Sequence, residues 1–179
     1  MIMMNRMALI TTLLLTIVLV AFSGCGDDSY VTNLCCPGWP FSSPEDVGEP
    51  PNILDVADTI TIDDTRLYLS SSISRNFMPP RTSDCTRLRA WIRIVDCDSV
   101  AIPDGVEPQC VWVVNGNEVW GSGFSDALMP PMPAYMIVRS ADCGPKWEPD
   151  TLVDVIVKIR HGGVIHYIRE RAVRIQALA

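Results

Sequence analysis

The sequence predicts an all-β domain: an immunoglobulin-like antiparallel β-sandwich of about seven to eight short strands, with a jelly roll or partly open barrel as the alternative. Three observations carry this. Apolar and polar residues alternate at period two in several stretches, glycine-bearing turn signals separate those stretches, and none of them shows the apolar period of an amphipathic helix.

Residues 53–62 are rich in β-formers, and within 66–73 Leu67, Leu69 and Ile73 share one face. The alternation is strict across residues 87–95. There Leu88, Ala90, Ile92 and Ile94 point one way and Arg87, Arg89, Trp91 and Arg93 the other, as in a half-buried strand. Residues 110–115 and 118–122 flank Asn115-Gly116, a pair that tolerates positive φ and predicts a tight hairpin. A short strand follows at 135–140. Over 151–160, Val153, Val155, Val157 and Ile159 line one face. His161-Gly162-Gly163 then turns the chain into a last strand from 164 to about 175. Arg169, Arg171 and Arg174 on that strand read as charges that guard a sheet edge.

The chain has 179 residues, 48% of them hydrophobic, and a formal net charge of −7, which fits one ordinary domain and excludes a basic nucleic-acid binder. Both averages are local in origin. Seventeen of the first 24 residues are hydrophobic. From Cys25 to Asp64 there are nine acids and no Lys or Arg, whereas residues 65–179 hold 12 acids against 13 bases. The expected organisation is therefore a signal segment at 1–24, an acidic Pro-rich tether at 25–52 and a β-domain at 53–179. Prolines 37, 40, 44, 50 and 51 with Gly38 and Gly48 make the tether an extended spacer. Its acids are too dispersed for an EF-hand calcium loop.

A single base, Arg6, precedes an apolar run at 8–22 of about 15 residues, short for a spanning helix and of the length of an export signal's apolar core. The residues that follow it, Phe22-Ser23-Gly24-Cys25, resemble the lipobox of bacterial lipoproteins. That resemblance covers only about the first 26 residues. It implies diacylation of Cys25, cleavage before it by signal peptidase II, and a protein held by lipid at an outer membrane, cell surface or periplasmic face; Gly26 after the cysteine favours the outer membrane. The competing reading takes Ala21-Phe22-Ser23 as a general signal-peptidase site that leaves a soluble secreted protein. Cysteine parity favours the lipid. With Cys25 acylated, Cys35, Cys36, Cys85, Cys97, Cys110 and Cys143 form an even set suited to disulfides in an oxidising compartment. Cys97 and Cys110 bracket one loop and make a reasonable pair, Cys143 competes for either, and Cys85 is left for Cys35 or Cys36. The sequence lacks a C-x2-C pair, so zinc is the weaker reading.

Searching for chemistry returns little. The sequence contains no nucleophile elbow, Walker loop, dinucleotide fingerprint or H-E-x-x-H helix. No cofactor or catalytic residue is expected. Three weaker candidates remain. Arg87, Arg89, Trp91 and Arg93 could bind an anionic polymer or an acidic envelope partner through guanidiniums and an indole. Met129, Met132 and Met136, in a Pro-rich stretch, offer soft ligands for a copper carrier, although gap-filling by Met side chains is the simpler role. His161 and His166 with Asp154 or Glu170 are the raw material for an envelope hydrolase. The expected function is a lipid-anchored binding or structural module at the cell envelope.

Overall fold

The computed structural model describes residues 47–78, 86–125 and 131–179. Eight strands run in order: β1 (Thr59–Ile62), β2 (Thr65–Asn76), β3 (Leu88–Asp96), β4 (Glu107–Asn115), β5 (Glu118–Gly123), β6 (Met136–Gly144), β7 (Leu152–His161) and β8 (Val164–Leu178). The protein is all-β. Its strands lie in the order β5-β4-β7-β8-β2-β3-β6, with β1 pairing to β2. Counted from β2, the first, second and fifth strands form one half and the third, fourth, sixth and seventh the other, a curled mixed sheet that fits an all-β sandwich or a partly open barrel.

The two halves are one curled sheet because β8 belongs to both. Its first part pairs antiparallel with β7, and residues 175–178 pair parallel with Ile73 to Asn76 of β2. The switch occurs at a bulge. Opposite Val153 to Val155, β8 advances from Glu170 to Val173 with one extra residue, and Ala172 adopts φ 52°. Asp154 accepts a hydrogen bond from the Ala172 N–H at 2.9 Å and so satisfies the donor that the bulge removes from the ladder.

The alternating apolar residues meet inside this curl. Leu67 and Ile73 of β2, Leu88 and Ala90 of β3, and Val155, Val157 and Ile159 of β7 are all completely buried in one cluster. At roughly 1.5–3 kcal/mol for each large side chain removed from water, this cluster is the main source of stability. A second, smaller cluster lies on the other face of β4 and β7. There Cys110, Trp112 and Ile156 are covered by Val47 and Val56. Val47, within the stretch read as tether, therefore packs on the sheet.

Two turns differ instructively from expectation. The hairpin between β4 and β5 pairs Asn115 with Glu118, so the loop is Gly116-Asn117 and only Gly116 takes positive φ, 58°. That is the II′ arrangement, which needs glycine at the first loop position. At the other hairpin Gly162 and Gly163 both take positive φ, as a I′ turn requires. The β-rich stretch at 53–62 also splits: Ile53–Asp55 forms a 3-10 turn capped by Asn52, and only Thr59–Ile62 joins the sheet.

The last strand is not an edge. With β7 on one side and β2 on the other, β8 uses its arginines to hold the incoming N-terminal segment: Arg169 donates to the Ile53 carbonyl and, with Arg171, to Asp58. Among the described residues, no helix is long and apolar enough to cross a membrane. The apolar run at 8–22 lies outside them, as do Cys25, Cys35, Cys36, Cys85 and Met129.

Candidate functional site

An open cleft of about 760 Å³ lies beside β5. It wraps the outer edge of β5, the last strand in the sheet order. Trp112 forms part of its floor from the outer face of the sheet, where its indole N–H donates to the Gly48 carbonyl at 3.1 Å. Trp120 and Trp147 enter from the core side, where both pack against the main cluster. Three charged groups line it: Arg87, Glu49 and Glu118. Pro50 and Pro145 complete the walls, so the lining is largely aromatic and apolar with a few charges, the usual make-up of a ligand site.

Two glycines permit this shape. A Cβ at Gly121 would stand 3.0 Å from the Trp112 ring, and one at Gly144 would stand 2.8 Å from both Leu88 and the Trp120 ring. Trp120 therefore lies flat over Gly144, across the gap between the sheet's two outermost strands. Those strands do not pair with each other. Residues 124 and 125 instead lead away from β5 toward β6, where the Ser125 N–H donates to the Ser140 carbonyl at 2.8 Å.

One buried cation holds the cleft's far wall. Arg75 is 7% exposed, and its guanidinium donates to the Thr86 carbonyl at 2.7 Å, the Thr86 hydroxyl at 3.0 Å, the Lys146 carbonyl at 3.2 Å and the Trp147 carbonyl at 3.0 Å. It thereby ties the segment that carries Arg87 to the loop that carries Pro145 and Trp147. The Phe77 ring covers its other side at 4.9 Å.

The residues singled out from sequence are distributed differently. Leu88 to Ile94 alternate as expected, but Arg87 precedes β3 and faces the cleft, away from the other three. Arg89 is ion-paired to Asp142, and Arg93 lies close enough to Glu170 to lower that carboxylate's proton affinity. Arg89 is thus paired within the fold, while Arg93 acts on Glu170 without a direct ion pair. Trp91 is half-buried between its neighbours.

The expected pairing of Cys97 with Cys110 does not form, and both are free thiols. The strand order explains why: Cys97 follows β3, whereas Cys110 sits four ladder steps away on β4 and faces the outer cluster. Burial pushes the Cys110 thiol up to about 11, far from the reactive range. Cys143 is disulfide-bonded, to neither of these two. Met132 is exposed and Met136 half-buried at the start of β6. Among the described residues, no group of three His, Cys, Asp or Glu side chains is arranged to hold a metal ion.

The histidines and acids do not assemble either. His161 meets Asp63 at 3.3 Å at the tip of the β7–β8 hairpin. Asp154 and Glu170 lie at the bulge, six residues along β8 from that tip and so about 20 Å away. Glu170 accepts from the Ser71 N–H in the stretch of β2 between its pairings with β1 and β8, and burial raises its pKa above 4.5. Asp96 is held below its ordinary value by the Asp98 and Val100 N–H groups, which it caps at 3.0 and 2.8 Å. Asp58 is lowered by its hydrogen bond from Arg171, and further by Arg169.

No family model matches the chain, and neither a curated protein nor a solved structure matches it. The cleft escaped the reading of the sequence because its tryptophans come from three separate elements. The available signal was that three of the five tryptophans fall between residues 112 and 147.

Proposed function

We propose that this chain is an exported lipoprotein, acylated at Cys25, whose β-domain is a non-catalytic binding module at the cell envelope and whose ligand site is the tryptophan cleft beside β5. The observation that carries the binding reading is the cleft itself: three indoles and three charges assembled from both faces of the sheet and braced by Arg75. By fixing the two segments that carry Arg87 and Trp147, Arg75 holds the groove's walls in place before any ligand arrives. The acids weighed for a hydrolase lie outside this cleft, Asp154 at the bulge and Glu170 against Ser71.

The anchoring part rests on Phe22-Ser23-Gly24-Cys25 and on the acidic segment behind it. A diacylated cysteine binds a bilayer stably where one chain would not. Metabolic labelling with radioactive palmitate tests this. The wild-type chain takes up label and fractionates with membranes, and Cys25→Ala takes up none and is released. A Cys25→Ala chain that stays membrane-bound removes the lipid anchor from the account.

A further inference from the structure

We infer that the cleft's ligand is an extended segment of a partner protein, carrying basic side chains, that adds to the outer edge of β5 along Val119 to Ser122 as a further strand. This rests on the cleft being the binding site and names what occupies it.

Three observations point to a strand. First, β5 ends the sheet order, and among the described residues no strand pairs with its outer side. Second, Val119 to Ser122 carry no Lys, Arg, Pro or bulge opposite β4 that would turn a further strand away. Third, the cleft takes its walls from both sheet faces, Trp112 and Gly121 on one side and Trp120 and Trp147 on the other. A pocket for a flat ligand needs only one face. An added strand projects alternate side chains to both, so the backbone supplies affinity and the two flanking pockets supply selectivity.

Charge selects the segment. Glu49 and Glu118 are both exposed, against the single half-buried Arg87, so the rim carries an excess of negative charge. A Lys or Arg on the added strand can pair with those carboxylates and lie over an indole.

The experiment selects from a random dodecapeptide library on the full-length protein, then resynthesises the enriched peptides with alternate backbone amides methylated. Enriched sequences should alternate apolar with basic residues. They should slow amide hydrogen exchange at Val119 to Ser122, lose binding on methylation, and weaken about tenfold against Glu118→Lys, a substitution at an exposed position that leaves the fold intact. Chito-oligosaccharide serves as the glycan probe. A cleft that quenches its tryptophans with the sugar but enriches no peptide overturns the strand inference and leaves the binding module standing. Edge-to-edge dimers of the protein, or enriched peptides indifferent to methylation and to Glu118→Lys, also overturn it. If neither probe touches the cleft tryptophans, the binding reading fails with it.

Discussion

Individual titratable groups here do structural work, and their environments fix its sign. Asp58 and Asp96 are stabilised as carboxylates, so their contributions are present above the ordinary value of 3.8 and are lost as pH falls through their lowered native values. Glu170 runs the other way. Burial favours its neutral form, so its native pKa lies above 4.5, and stability is lost as pH rises through that raised value. Glu170→Gln, whose carbonyl can still accept from Ser71, should be more stable than wild type in denaturant at pH 7, with the gain shrinking toward pH 4. The free cysteines separate by burial in the same manner. Iodoacetamide at pH 8 should modify half-exposed Cys97 well before Cys110, whose thiol ionises only near 11. Mass spectrometry of the native protein checks the order. Parity pointed to six paired cysteines, and two of them are free because pairing depends on which sheet face a residue occupies, which counting does not register.

At the scale of elements, the strands were legible because period-two burial leaves its mark on every residue. Leu88, Ala90, Ile92 and Ile94 are buried as read, and so are Val153, Val155, Val157 and Ile159. What depended on distant partners was not legible. The bulge at Ala172 follows from Asp154 across the ladder, and the burial of Trp112 follows from Val47 and Gly48, more than 60 residues earlier. Arg75 is the clearest instance. In sequence it falls just beyond the 66–73 stretch and carries no motif, and in the fold its guanidinium makes four hydrogen bonds that set the cleft. Arg75→Met should cost about 3–5 kcal/mol in urea unfolding, because it leaves buried carbonyls unpaired. It should also change the tryptophan emission of the folded state as the Trp147 wall loosens. Gly144→Ala should cost about 1–3 kcal/mol, since its methyl meets Leu88 and the Trp120 ring at 2.8 Å.

For the whole molecule, the curl of the sheet links fold to function. Because β8 leaves β7 and joins β2, the two halves close on one side through a continuous ladder and stay open on the other, between β5 and β6. That opening is bridged by a side chain, Trp120 over Gly144, and the cleft sits there. The acidic N-terminal segment reaches the domain beside the same opening, since Gly48, Glu49 and Pro50 line it. The chain that enters the domain at Val47 thus forms part of the cleft's wall before it reaches the first strand.

The most direct measurement places a photocrosslinking amino acid at Val119, a 46% exposed cleft residue, and separately at Val100, which is 75% exposed in a loop outside the cleft. Both are irradiated in intact cells, with and without Cys25→Ala. The account predicts a discrete crosslinked partner at Val119 only, diminished when Cys25 is replaced. Equal crosslinking at both positions, or none at Val119, would contradict a lipid-anchored module that binds through this cleft.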